Sequence, residues 1–128
     1  MNPHVIAVVG ASADRRKFGN KCVRAFASAG WTVYPVHPTE TSVEGLPVFR
    51  SVADVPAERL DVVSVYLNPK VGLSVLPTFV AKPAGEVWFN PGAESAEIMT
   101  TAKELGLHAI AACSIVGYGM SPHTFADE

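Results

Sequence analysis

The residues whose types and spacing could do chemistry begin near the N-terminus. An apolar run ends at Gly10-Ala11-Ser12, followed by Asp14-Arg15-Arg16-Lys17 and then by a helical pattern. A strand-to-helix corner of this kind makes an anion site. Gly10 permits a sharp turn that carries backbone N–H groups toward a ligand. The helix behind it aims its partial positive charge at the same spot. Ser12 adds a hydroxyl donor, and Arg15, Arg16 and Lys17 add three cations. Cations at a helix start oppose the helix dipole, so their presence favours an anionic ligand. The corner therefore reads as a holder for the diphosphate of an adenine-containing nucleotide. The competing reading is a plain turn with a solvated basic helix start.

The pattern is not a dinucleotide fingerprint. G-x-G-x-x-G requires glycine at positions 12 and 15, where Ser12 and Arg15 stand. NAD binding also favours an acid at the end of the second strand, to accept from a ribose hydroxyl. His37 and Pro38 occupy that end. Both departures point away from NAD.

Other reactive side chains are sparse. Cys113 closes the last strand, where a thiol could meet a ligand, although such a residue also serves as a small buried hydrophobe. Cys22 falls on an apolar helix face and reads as core. No Cys or His stands at metal-ligand spacing. The acids, Glu40 and Glu44 among them, read as caps or solvated faces. No nucleophile elbow and no carboxylate pair is set by spacing.

The elements that must position these residues alternate between β and α. Strands are predicted over 4–10, 32–37, 61–67, 85–89 and 108–113, mostly continuous apolar runs as in strands buried on both faces. Helices are predicted over 18–29, from Pro69 with Asn68 as N-cap, and over 94–105. Phe18, Cys22, Phe26 and Ala29 form the apolar face of the first helix, and Ile98, Ala102 and Leu105 that of the last. Pro77 should kink or end the middle helix. Pro47 makes Gly45–Phe49 a short edge piece, and Ser51 with Asp54 has the form of a capping box. Residues 114–128 form a tail without a predicted structure. The fold class is α/β: a Rossmann-like, open, doubly wound parallel sheet with the first strand central, in three α/β/α layers. In such a sheet the ligand lies beyond the carboxyl ends of the strands.

Whole-chain properties bound the function. The 128 residues are 48% hydrophobic and 17% charged, with a net charge of −2. That suits one domain, residues 1–128. The charge argues against a nucleic-acid surface. Apolar runs are too short for a membrane span, and Met1-Asn2-Pro3-His4 does not begin a signal peptide, so a cytoplasmic setting is expected. A homodimer or a partner protein stays open.

Four segments carry a family resemblance: Val-Val-Gly-Ala-Ser (8–12), Val-Tyr-Pro-Val-His-Pro (33–38), Gly-Leu-Pro-Val-Phe (45–49) and Asp-Val-Val-Ser-Val (61–65). Together they resemble the CoA-binding domain family, whose members include small stand-alone proteins and the N-terminal domain of the succinyl-CoA synthetase α subunit. The resemblance implies a Rossmann-like domain holding coenzyme A or an acyl-CoA. It would lay the diphosphate on Gly10, Ala11 and Ser12, and set His37 and Pro38 beside the 3′-phosphorylated ribose. Tyr66, Leu67, Asn68 and Pro69 would line the adenine region, and Asn90, Pro91 and Gly92 would wall the crevice. Family members often carry a basic or small polar residue after the second strand; here phosphate charge would rest on Arg15, Arg16 or Lys17.

Three functions follow as expectations. The first is a CoA-binding module without catalysis of its own. The second is a small NAD(P)-dependent oxidoreductase, with Tyr66 or Tyr118 as proton donor. The third is thiol or acyl exchange at Cys113.

Overall fold

The computed structural model describes residues 4–128; Met1, Asn2 and Pro3, used above in excluding a signal peptide, lie outside the described residues. Five strands form one parallel sheet: β1 (Val5–Val9), β2 (Thr32–Val36), β5 (Leu60–Val65), β6 (Ala84–Phe89) and β7 (Ala109–Ala111). Their order across the sheet is β2-β1-β5-β6-β7. The chain runs outward from β1 to β2, then crosses back over β1 to β5. The carboxyl ends of β1 and β5 therefore diverge, and this is the switch point of the doubly wound sheet. The first strand is interior as expected, but the middle strand is β5.

Alternation along the strands sorts the core into two clusters. Ile6, Val8 and Val62 face α1 (Phe18–Ser28), where they meet the buried Cys22, Val23 and Phe26. Ala7, Val9, Val63 and Val65 face the other layer, packing with Leu76, Phe79, Ile98 and Ala102. That layer comprises α2 (Pro69–Val75), the 3₁₀ turn Leu76–Val80 and α3 (Ala96–Glu104). Three layers result, matching the Rossmann-like expectation.

Local chemistry explains the element ends. Asn68 caps α2 by accepting from Val71 N at 3.0 Å, with Pro69 at the first helical position. As expected, Pro77 ends α2: the helix stops at Val75 and tightens into the 3₁₀ turn that contains the proline. Ser95 caps α3, so that helix begins at Ala96 rather than at residue 94. Two predicted apolar faces are trimmed at their ends. Phe18 is 54% exposed and Leu105 39% exposed.

The segment after β2 departs most from the sequence reading. Residues 45–49 are not one extended piece. β3 (Ser42–Val43) and β4 (Leu46–Pro47) form a hairpin about Glu44 and Gly45, both at positive φ. Phe49 instead bridges to β2, donating to Pro35 O and accepting from His37 N. The expected capping box at Ser51 is a shorter motif, because the hydroxyl accepts from Ala53 N and not from Asp54 N. The tail is ordered. It forms α4 (Ser114–Gly117) and the 3₁₀ turn Pro122–Thr124. Ile115 and Phe125 pack into the α1 face of the core.

Candidate functional site

A crevice of about 520 Å³ opens at the carboxyl ends of the strands. Each main-sheet strand contributes to it in turn. Gly10 and Ser12 follow β1, His37 and Pro38 follow β2, and Tyr66, Leu67 and Asn68 follow β5. Pro91, Gly92 and Ala93 follow β6, Cys113 follows β7, and the start of α1 adds Lys17, Phe18 and Gly19. The volume is within the usual range for small-molecule sites.

The first loop is built differently from a simple glycine nest. Gly10 has φ +89°, and a Cβ there would lie 2.6 Å from Tyr66 O. Its N–H and that of Ala11 both donate to Val36 O, at 3.0 and 3.3 Å. Those two donors thus tie β1 to β2. Ala13 N donates to the Glu40 carboxylate at 2.7 Å, and Asp14 N to Ser12 Oγ at 3.0 Å. Among the described residues, the N–H groups of Ser12, Phe18 and Gly19 have no acceptor. Anion-binding capacity in this corner therefore lies two to nine residues beyond Gly10, at Ser12 and at the uncapped start of α1.

Gly19 is the residue that sequence reasoning missed here. A Cβ at Gly19 would lie 2.4 Å from Gly10 O, so only glycine lets α1 pack this close to the loop. It serves the helix-packing role of the third glycine in a dinucleotide fingerprint, displaced along the chain. The spacing Gly10 to Gly19, read across the helix start, is the signal that could have found it.

The three neighbouring cations diverge. Lys17 lines the crevice. Arg15 does not: its Nε pairs with Glu44 at 3.3 Å, and its Nη1 donates to Glu128 O. Arg16 turns back on Asp14 with two side-chain bonds of 3.0 and 2.9 Å, outside the crevice. This contact holds the Asp14 carboxyl down to about 2.

His37 has a set tautomer. Its Nδ1 accepts from Thr39 N at 3.1 Å and from Glu40 N at 3.0 Å, which leaves Nε2 as the N–H donor. The ring thus acts first as a turn cap. Arg50 Nη1 braces the same turn by donating to His37 O and Glu40 O, at 2.9 and 2.6 Å.

Beneath the crevice floor lies a buried polar network. Asn90 Nδ2 donates to Ser64 Oγ and Val65 O, both at 2.9 Å. Its Oδ1 accepts from Ser114 N at 2.8 Å and Ser114 Oγ at 3.1 Å. Asn90, read from the sequence as crevice wall, is buried and pins the ends of β5 and β6 to the start of α4. Ala11 is also fully buried, and Pro69 lies behind Asn68 at the helix start. Tyr66 OH reaches Ser114 Oγ at 3.5 Å, and burial pushes its phenol well up. Burial likewise pushes the Cys22 thiol up to about 11. Cys113 is half-buried at the crevice edge. Tyr118 donates to Glu86 at 2.5 Å and does not line the crevice. Among the described residues, no group of three His, Cys, Asp or Glu is placed to hold a metal ion, and no helix is long and apolar enough to cross a membrane.

Comparison with known proteins agrees with this architecture. The profile of a family described as "CoA binding domain" matches residues 4–119. The α subunit of an ADP-forming acetate–CoA ligase (II) of Pyrococcus furiosus is 40% identical over 58 residues, which is 44% of this chain and 13% of the ligase subunit. Acetate–CoA ligase (ADP-forming) I of Archaeoglobus fulgidus is 33% identical over 69 residues, 54% of this chain and 10% of that protein. The chain therefore matches only about a tenth of the length of these curated relatives. Among solved structures, a conserved hypothetical protein of Pyrococcus furiosus has 34% identity and a TM-score of 0.75, covering 88% of this chain and 94% of its own. An acetyl-coenzyme A synthetase of Candidatus Korarchaeum cryptofilum, solved with phosphate and ADP, has 29% identity and a TM-score of 0.73 over 87% of this chain and 26% of its own.

Proposed function

Because the chain belongs to the CoA-binding domain family, we propose that its crevice holds coenzyme A or an acyl-CoA, as a binding module without catalysis of its own. The observation that carries this reading is the row of unspent N–H groups at Ser12, Phe18 and Gly19 beside Lys17, in a crevice reached by all five strand ends. A diphosphate needs such donors, and a helix start supplies them with a favourable dipole. Leu67, Pro38, Pro91 and Ala93 offer apolar walls for adenine and pantetheine. His37 and Pro38 flank the ribose, with Nε2 of His37 free to donate. Gly10 and Ala11 act by shaping the loop rather than by donating to the ligand. Asn68 and Pro69 fix the adenine side through the start of α2, and Gly92 gives the opposing loop its turn. Arg15 and Arg16 would reach a phosphate only by leaving Glu44 and Asp14. The non-catalytic reading is supported by the side chains at the crevice. Tyr66 is tied into the buried network with its proton firmly held, and among the described residues no Asp or Glu lines the crevice. A cytoplasmic setting fits a ligand of this class.

Titration of the purified protein with coenzyme A, followed by calorimetry and thermal melting, tests the proposal. At 100 times the dissociation constant, binding adds about 2.7 kcal/mol, a shift of several degrees for a domain of this size. Lys17→Gln should weaken binding about fivefold or more with an unchanged melting temperature. No shift with coenzyme A, or a shift with NADP instead, would overturn the reading.

A further inference from the structure

Four polar residues are buried among the described residues: Asn20, Ser64, Asn90 and Ser114. The last three form the network under the crevice floor. Asn20 stands apart from them, on α1 next to Gly19. A buried amide destabilises the fold unless its hydrogen bonds are made. Asn20 makes them in three directions. Its Nδ2 donates to Ser12 O at 2.8 Å and to Glu44 Oε2 at 3.0 Å, and its Oδ1 accepts from Arg24 Nε at 2.7 Å. A carbonyl and a carboxylate accept, and a guanidinium only donates, so these partners fix which way the amide points.

The bond to Ser12 O holds the first loop from behind. That carbonyl shares a rigid peptide plane with the Ala13 N–H, which donates to the Glu40 carboxylate at 2.7 Å. The Ser12–Ala13 plane is thus clamped at both ends. The Gly10–Ala11 plane is tied to Val36 O through the Ala11 N–H at 3.3 Å. Between these two held planes lies the Ala11–Ser12 plane, which carries the unspent Ser12 N–H. We infer that Asn20 is a positioning residue for anion binding: it holds the loop so that the Ser12 N–H presents to the diphosphate of the ligand. This rests on the CoA reading above and adds to it a residue that does not itself line the crevice. The Phe18 and Gly19 N–H groups are set by the backbone of α1 and do not depend on the Asn20 amide.

The test follows backbone amide resonances by NMR as coenzyme A is added to saturation, on the wild-type chain, Asn20→Asp and Asn20→Ala. An ionised aspartate keeps the shape and the acceptor for Arg24 but cannot donate to Ser12 O; alanine removes the donor at any pH. Melting curves establish that each variant folds. In wild type the Ser12, Phe18 and Gly19 amides should all shift. In both variants the Phe18 and Gly19 shifts should persist and the Ser12 shift should be lost. The dissociation constant should rise about tenfold, the effect of one hydrogen bond to a charged group. The role of Asn20 is overturned, with the CoA reading left standing, if coenzyme A binds wild type without moving Ser12. The same follows if the variants keep the full Ser12 shift or lose all three shifts equally. Failure of both variants to fold overturns it too, because Asn20 would then serve the fold alone. If coenzyme A moves no resonance of wild type, the CoA reading fails and this inference with it.

Discussion

Single residues in this crevice divide into those that shape and those that present. Gly10 shapes: with φ +89° and Tyr66 O 2.6 Å from a would-be Cβ, it tolerates no side chain. Gly10→Ala should lower unfolding free energy by at least about 2 kcal/mol, measured by urea denaturation, since it adds both left-handed strain and overpacking. Any loss of ligand binding in that variant would therefore mix folding with recognition, which makes Lys17 the cleaner probe. Asn90 also shapes. Asn90→Ala would strip Ser114 N of its acceptor and Ser64 Oγ of a donor in the interior, at a cost of about 3 kcal/mol by the same assay. The two thiols are separated by burial. A disulfide-exchange reagent at neutral pH should label Cys113 and leave Cys22 protected until the chain is unfolded; fast labelling of both in the folded state would contradict the packing. The sequence made Gly10 legible, because a glycine after a strand has few other uses. It hid Glu40, Gly19 and the burial of Asn90. Each of those roles depends on a partner in another part of the chain, and local pattern carries no information about that partner.

At the scale of elements, the strands were legible because valine-rich runs buried on both faces leave little ambiguity, and the caps at Asn68 and Ser95 act within three residues. The tail was not legible. α4 has four residues, too few for a periodic pattern, and it is held by contacts from elsewhere. One is the bond from Tyr118 OH to Glu86 Oε1, reinforced by Trp88 Nε1 at 3.0 Å. The Tyr118 hydroxyl is the main cause holding the Glu86 carboxyl below its ordinary range, with Trp88 second. A carboxyl whose folded pKa lies below its unfolded value stabilises the fold above the unfolded value. That contribution is lost as pH falls through the lowered one. Docking of α4 against β6 should therefore weaken in acid, below the usual glutamate range. Tyr118→Phe should bring the Glu86 titration, followed by carboxyl carbon NMR, back up toward an ordinary glutamate. An unmoved titration would mean that the tyrosine does not hold the carboxylate in solution.

The whole molecule has 10 basic and 12 acidic side chains, and the distribution matters more than the sum. Counting charges along the first loop makes the corner look strongly basic. Folding cancels most of that. Arg15 and Arg16 are paired, Lys21 is bound to Asp127, and the Arg24 guanidinium donates to Asn20 Oδ1 and to the carbonyls of Arg15 and Ala126. What faces the crevice is Lys17, while the Glu40 carboxylate accepts from Ala13 N in the first loop. A polyanionic ligand would then be held by neutral donors and apolar walls, with little help from a long-range field. Such binding is weakly screened by salt. The dissociation constant for coenzyme A should change by less than about threefold between roughly 0.05 and 0.5 M salt. A loss of about tenfold or more over that range would mean that Arg15 and Arg16 leave their carboxylates and close on the ligand. The ligand-bound corner would then be the basic one that the linear sequence depicts.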